Sequence, residues 1–315
     1  MNSILLVDDE ANILTSLKRE FMARKGEFAV ETFTSPKEAL ECAKSRQFDL
    51  VISDYKMPEM DGVAFLEAFQ EIQPDATRLI LSGLADRDAL VDAINHTHIY
   101  RFINKPWDEV ELAGTVAQAL AYRLVIAENR RLAEAYREKY GEPAKLYEAE
   151  KHYQILVVDD EQSALNAVSR DLSHHSHLEG LYAAMRHEAN PRAHQVHHDF
   201  RFIVETATSP LSALEQAKRV AYDLVIADYR MPDMNGVEFL EAFREIQPDA
   251  ARTLFSGHAD MKVLLDAINR SEIYAFIGKP WNEHDLRSTV TQAIAYRNLV
   301  QENRRMGEAL KGIPR

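Results

Sequence analysis

Residues 50–66 read Leu-Val-Ile-Ser-Asp-Tyr-Lys-Met-Pro-Glu-Met-Asp-Gly-Val-Ala-Phe-Leu, and residues 224–240 read Leu-Val-Ile-Ala-Asp-Tyr-Arg-Met-Pro-Asp-Met-Asn-Gly-Val-Glu-Phe-Leu. In each stretch a short apolar run ends at an acid, Asp54 or Asp228. Such a run, bounded by turn residues, predicts a buried parallel strand. Val63, Phe65, Leu66 and Phe69 then recur at helical spacing. Strand, acidic turn and helix make one β-α unit, and it occurs twice in the chain.

Working outward, the first unit sits in a series of five. Ile4–Val7 is another apolar run that ends in acids, Asp8 and Asp9. Ile13, Leu14, Leu17 and Phe21 follow at helical spacing. Phe28–Thr32 predicts a second strand, and Ser35-Pro36 opens a helix with Ser as N-cap and Pro in the first turn. Leu79–Leu81 predicts a fourth strand. Leu90, Ala93 and Ile94 mark a fourth helix, Tyr100–Ile103 a fifth strand, and a long helix begins near Asp108. Five β-α units in a row predict an open parallel sheet with helices on both faces.

The whole series is duplicated. Val30–Ala135 matches Val204–Ala309 without a gap at roughly 60% identity, which is a domain-sized repeat rather than a solenoid unit. Asp54 falls on Asp228, Gly62 on Gly236, Ser82 on Ser256, Lys105 on Lys279 and Trp107 on Trp281. Ile4-Leu-Leu-Val-Asp-Asp-Glu10 matches Ile155-Leu-Val-Val-Asp-Asp-Glu161 in a different register, because the second copy carries an insertion after its first helix.

Composition agrees with two soluble domains. The chain has 315 residues, is 46% hydrophobic and 28% charged, and has a net charge of −13. The acidic balance argues against a nucleic-acid surface, which needs clustered Lys and Arg. No apolar run reaches the length of a membrane span. The first apolar run is cut short by Asp8, Asp9 and Glu10 and has no basic segment before it, so it reads as a strand and not as a signal peptide. With Cys42 as the single cysteine, neither an intramolecular disulfide nor a Cys-based metal site can form. A cytoplasmic location follows as the expectation.

In parallel α/β sheets, ligands bind at the carboxyl ends of the strands. Asp8, Asp9, Asp54, Ser82 and Lys105 all fall there in the first copy, and Asp159, Asp160, Asp228, Ser256 and Lys279 in the second. A single Asp after a strand is more often a turn former or a helix cap. The complete set, present twice, asks for more. Three converging carboxylates repel one another unless a cation joins them, and hard oxygen ligands suit Mg²⁺. A lysine and a hydroxyl beside them suggest a visiting phosphoryl group, with a carboxylate as the nucleophile.

The motifs Val-Asp-Asp-Glu, Asp-Tyr-Lys/Arg-Met-Pro, Ser-Gly and Lys-Pro-Trp resemble those of receiver domains of bacterial two-component response regulators. The resemblance covers nearly the whole chain. It implies an α/β, flavodoxin-like (βα)5 fold for each copy, with a five-stranded parallel sheet, the two joined by an extended helix. It implies Asp54 and Asp228 as phosphoacceptors. It implies one Mg²⁺ (or Mn²⁺) per domain, held by Asp8, Asp9, Asp54 and the backbone carbonyl of Lys56, and by Asp159, Asp160, Asp228 and the backbone carbonyl of Arg230. Lys105 and Lys279 would pair with phosphoryl oxygens. Ser82 with Phe102, and Ser256 with Phe276, would form the switch pairs. The implied partners are a histidine kinase or phosphotransfer protein and a downstream protein. A homodimer, or pairing of the two copies within the chain, is implied on the face that carries Tyr100 and Tyr274. No nucleic-acid or membrane partner is implied, and the chain would be a phosphoacceptor with slow self-dephosphorylation rather than an enzyme.

Three departures qualify the resemblance. Residues two after each switch serine differ, Leu84 against His258, while those two after each acceptor are both basic, Lys56 and Arg230; the copies are expected to lose phosphate at different rates. An aspartyl-phosphate phosphatase would usually carry a second Asp where Lys56 and Arg230 stand, which counts against that rival. The insertion contains His174, His175, His177, His187, His194, His197 and His198. Imidazoles suit several metals, but no zinc-motif spacing accompanies them, so a solvated polar excursion is favoured. Leu178, Leu181, Tyr182 and Met185 predict a helix within it.

The expected organisation is a first receiver at 1–124, a helical extension and linker at 125–152, a second receiver at 153–298 with its insertion at about 173–199, and a helical tail at 299–315. The helix after Asp108 should run to about Tyr140, where Gly141-Glu-Pro143 breaks it. Its apolar seam thins to Leu132, so a solvated spacer is as good a reading as a coiled coil. Two alternatives remain open: only one receiver is phosphorylated and the other is a scaffold, or the chain is the regulatory fragment of a longer protein.

Overall fold

The computed structural model describes residues 1–22, 26–83, 99–141, 152–173, 201–256 and 273–312. The chain forms two compact units, Met1–Ala127 and Glu128–Arg315.

The first unit runs β1 (Asn2–Val7), α1 (Ala11–Met22), β2 (Phe28–Phe33), α2 (Pro36–Ser45), β3 (Leu50–Asp54), α3 (Gly62–Ile72), β4 (Thr77–Gly83), β5 (Arg101–Lys105) and α4 (Glu109–Tyr140). The sheet order is β2-β1-β3-β4-β5, all parallel. Burial explains the composition of the central strands. Ile4, Leu5, Leu6, Leu50, Val51 and Ile52 are inaccessible to solvent, because helices cover both faces and no position is left to be polar. The helices are amphipathic instead: α1 buries only Leu14, Leu17 and Phe21, and α3 buries Phe65, Leu66 and Phe69.

The second unit repeats the plan with β6 (His152–Val158), α5 (Gln162–Ser173), β7 (Arg201–Ala207), α6 (Pro210–Ala217), β8 (Leu224–Asp228), α7 (Gly236–Ile246), β9 (Ala251–Ser256), β10 (Ala275–Gly278) and α8 (Glu283–Lys311). Its order is β10-β9-β8-β6-β7, again parallel. Ile155 and Val157 join the core under α5 and α8, while Leu156 and Val158 join the core under α6 and α7. That alternation is the period of two expected of a strand with two covered faces.

Both sheets are therefore five-stranded and flavodoxin-like, as the sequence implied. The chain leaves β1 towards β2 on one side and continues through β3, β4 and β5 on the other. This reversal of strand order opens a crevice at the carboxyl ends of β1 and β3, and the same holds at β6 and β8.

One local detail differs from the sequence reading. Ser35 holds the N-cap position of α2 with extended backbone, but its hydroxyl makes no cap bond, and Pro36 supplies the helix start. α3 and α7 are capped by side chains instead, Asp61 accepting from Ala64 N and Asn235 from Val237 N and Glu238 N. The expected fourth helix at Leu90, Ala93 and Ile94 lies outside the described residues, as does the insertion with its seven histidines and with Leu178, Leu181, Tyr182 and Met185. No helix among the described residues is long and apolar enough to cross a membrane.

Candidate functional site

Each crevice is built from three strand ends. β1 ends at Val7, so Asp8 and Asp9 follow at its rim; β3 ends on Asp54; β5 ends on Lys105. Asp8 is fully buried and Asp54 nearly so. The Lys105 ammonium lies between them, with Nζ 2.7 Å from Asp8 Oδ2 and 2.5 Å from Asp54 Oδ1. The remaining carboxylate oxygens take backbone donors. Glu10 N donates to Asp8 Oδ1 at 2.9 Å, and Lys56 N donates to Asp54 Oδ2 at 2.9 Å.

The second copy reproduces this. Lys279 Nζ stands 2.6 Å from Asp159 Oδ2 and 2.5 Å from Asp228 Oδ1. Glu161 N donates to Asp159 at 2.9 Å and Arg230 N to Asp228 at 2.8 Å.

One ammonium against two buried carboxylates leaves each pocket short of positive charge. The titration directions follow from this. Burial pushes the Asp8 carboxyl above the usual range, and the neighbouring Asp54 charge adds to the rise against the pull of Lys105 and Glu10 N. Burial likewise raises Asp228, with the Asp159 charge adding to it and Lys279 opposing it. Burial alone would lower the lysines. Hydrogen bonds and charges from the paired aspartates outweigh it, so Lys105 and Lys279 are both raised and stay protonated.

Asp9 and Asp160 were expected to converge with these groups, but both are exposed at the rim. Among the described residues no three His, Cys, Asp or Glu side chains gather as a closed metal cage. The donor set still fits Mg²⁺. That ion keeps several waters and takes only one or two carboxylates, and these pockets offer hard oxygens and a charge deficit.

Ser82 is the penultimate residue of β4, is buried, and donates through Oγ to Gly83 O at 3.3 Å. Ser256 closes β9 opposite Gly278, and Phe102 lies on β5 opposite Ile80. The side chains of Ser256 and Phe102, and all of Leu84 and His258, lie outside the described residues. Phe276 is half-buried and packs on the core beneath α6 and α7. Tyr100 and Tyr274 are buried, each against a tyrosine of the following long helix, Tyr122 at 4.9 Å and Tyr296 at 5.0 Å between ring centroids.

The sequence reading gave no role to Gly62 and Gly236. Each opens its helix against the backbone of the buried acid: a Cβ on Gly62 would lie 2.0 Å from the carbonyl oxygen of Asp54, and one on Gly236 would lie 2.2 Å from that of Asp228. No side chain fits there, so the glycine lets the helix start pack on the strand that ends in the acid. The signal was present as a glycine eight residues after the acid in both copies.

A family model described as the response regulator receiver domain matches residues 4–117 and again residues 191–291. Among curated proteins, the hydrogenase transcriptional regulatory protein HoxA of Cupriavidus necator is 33% identical over 118 residues, covering 38% of this chain and 24% of that protein. The response regulator Rre1 of Synechocystis is 31% identical over 184 residues, covering 54% of this chain and 78% of that one. The signal receiver domain of an HD domain-containing protein from Pseudomonas fluorescens Pf-5 is 35% identical, with 39% of this chain and 96% of that chain covered and a TM-score of 0.37. Rre1 apart, the chain spans about a quarter of the length of the curated relatives it matches.

Proposed function

The chain belongs to the response regulator receiver domain family, and from that premise we propose that it takes up phosphoryl groups at two sites, Asp54 and Asp228, from a histidine kinase or phosphotransfer protein. The observation that carries this reading is the doubled contact of acceptor carboxylate and lysine ammonium, 2.5 Å in each copy.

The carboxylate of Asp54 would attack the phosphorus of a phosphohistidine. The new P–O bond forms as the P–N bond breaks, and the electron pair returns to the imidazole. Lys105, already against Asp54, would transfer its contact to a phosphoryl oxygen. The Lys56 N–H holds the second carboxylate oxygen and fixes the angle of attack. Mg²⁺ or Mn²⁺, held directly by Asp9, Asp54 and the Lys56 carbonyl and by Asp8 through bound water, would supply further positive charge for the transferring group. Asp159, Asp160, Asp228, the Arg230 carbonyl and Lys279 would take the same roles in the second copy.

Once the aspartyl-phosphate forms, the Ser82 hydroxyl would turn from Gly83 O to the phosphoryl oxygens. Phe102 would follow it, as Phe276 would follow Ser256, and a local charge becomes a changed contact surface for a downstream protein. The same pocket would let water hydrolyse the acyl phosphate slowly, so the chain is a timed switch and not an enzyme acting on others. The acidic balance supports protein partners in the cytoplasm over nucleic acid or membrane. The reading with one working receiver and one scaffold is less well supported, because the two pockets match contact for contact.

The test is phosphorylation by acetyl phosphate with Mg²⁺. Incorporation near two per chain is expected, falling to one in Asp54→Ala or Asp228→Ala and to none in the double variant. Label that persists in the double variant, or that is absent from the wild type, would overturn the assignment.

A further inference from the structure

We propose that Asn129–Tyr136 and Asn303–Leu310 are the two halves of one interaction surface, each the dedicated partner of the other within the same chain. The end of α4, from Glu128, belongs by its contacts to the second unit, where it meets the end of α8. Asn129 Nδ2 donates to Asn303 Oδ1 at 2.8 Å. Leu132 and Ala133 are buried with Met306, and Tyr136 and Leu310 pack on that cluster.

Asn129 and Asn303, Leu132 and Met306, Tyr136 and Leu310 are equivalent positions of the repeat. Like therefore meets like at the same height, as in two parallel helices related by a two-fold axis. The steps of three and then four residues are those of a heptad seam with Asn in one core layer. Leu132, the residue at which the sequence seam thinned, is only 6% exposed, because Met306 and not solvent lies beside it.

Two features commit each half to the other and not to a second copy of itself. Asn129 is 1% exposed, so its amide needs a partner at its own level. Asn303 supplies one, whereas a shift of one turn would set both amides against apolar side chains. The second feature is one-sided. Lys139 Nζ donates to Leu310 O at 2.9 Å, and Tyr140 OH donates to Ala309 O at 2.8 Å beside the Gly312 N–H at 3.1 Å, so the end of α4 caps the last turn of α8. The positions of the repeat that would return the favour are Ile313 and Pro314, which carry no such donors. In a pair of two α4 ends at this register the donors would face Ala135 and Tyr136, which lie inside the helix, and a pair of two α8 ends would lack the donors. The seam is thus closed to chain-to-chain dimerisation.

Crosslinking of the full chain in a Cys42→Ser background tests this. Asn129→Cys combined with Asn303→Cys should oxidise to an intramolecular disulfide in a species that stays monomeric by mass. Asn129→Cys with Leu310→Cys, roughly 10 Å out of register, should remain reduced. Chain-to-chain crosslinks from Asn129→Cys alone would overturn the proposal, and so would no crosslink in the matched pair or equal crosslinking in the shifted pair. Thermal unfolding gives a second readout. Asn129→Leu and Asn303→Leu should each lower Tm, and the double change should recover part of the loss; losses that simply add would overturn the paired role of the two amides.

Discussion

Where α1 hands over to β2, residues 23–27 suffice; where α5 hands over to β7, residues 174–200 intervene. The second unit has reinforced the point from which the longer connection leaves. Arg287 is buried, and its Nη1 donates to the carbonyls of Asp171 and Leu172 in the last turn of α5, at 3.0 and 2.9 Å. Its guanidinium lies 5.6 Å from the Phe202 ring at the start of β7. Asp171 also accepts from the Trp281 indole at 3.2 Å. The first unit has Ala113 and Glu20 at the positions of Arg287 and Asp171. The pockets, by contrast, agree to within about a tenth of an ångström. The residues of the two acidic pockets keep one geometry, while the framework around a connection adapts to its length.

The largest expected effect sharpens this contrast at the glycines. Gly236→Ala should cost at least about 3 kcal/mol of stability, because its Cβ meets the Asp228 carbonyl and also stands 2.7 Å from a Leu254 methyl. Gly62→Ala should cost at least as much, since its Cβ would stand 2.0 Å from the Asp54 carbonyl oxygen and its close contacts are all with backbone, which cannot turn aside as a leucine methyl can. Calorimetry of each variant measures both, and a smaller loss in Gly62→Ala would show that the Leu254 contact, and not the backbone carbonyl, decides the cost. Arg287→Ala comes next, with about 2 kcal/mol lost from the second unit as two helix-end carbonyls lose a charged donor. Ala113→Arg in the first unit should give no matching gain. Urea unfolding decides this, and an unchanged midpoint in Arg287→Ala would remove the argument for reinforcement.

Smaller effects separate the helix caps. Asn235 accepts from two backbone amides, and Glu238 reaches back to Asn235 N at 3.1 Å, whereas Asp61 accepts from one amide at 2.8 Å. Asn235→Ala should therefore cost about 1.5 kcal/mol and Asp61→Ala about 1 kcal/mol, both readable as shifts in Tm. The smallest effect has the opposite sign. Thr253 is fully buried with no hydrogen-bond partner for Oγ1 among the described residues, where the first copy has Leu79. Thr253→Val should gain from a few tenths to about 1 kcal/mol. A loss would show that the hydroxyl has a partner.

The strands were legible because burial on both faces leaves an apolar run ending in an acid, as at Ile4–Asp8 and Leu50–Asp54. The contact of Lys105 with Asp54 was legible for a different reason: sheet topology carries β3 and β5 to the same edge whatever the sequence between them. The exposure of Asp9 beside a buried Asp8 was not legible, since periodicity does not record how far each residue after a strand is covered. Nor was the pairing of α4 with α8. A short seam on one helix looks solvated until its mate, 174 positions away in the repeat, is set beside it. Gly62 escaped notice because its role is defined by a carbonyl, and backbone proximity leaves no pattern in side chains.

The place where the second unit was lengthened has a practical consequence. Ser173 and Arg201 lie at the amino-terminal edge of the sheet, and the seven-residue strand β6 separates that edge from Asp159 by roughly 20 Å. Closing the longer connection adds only about 1.5 kcal/mol of chain entropy over the shorter one. A fluorescent protein or affinity handle spliced into the first unit between Met22 and Phe28 would enter at the matching edge, a sheet's length from the acids. The duplicated domain thus marks out, by its own history, a port at which cargo can be mounted without crowding the acidic pocket.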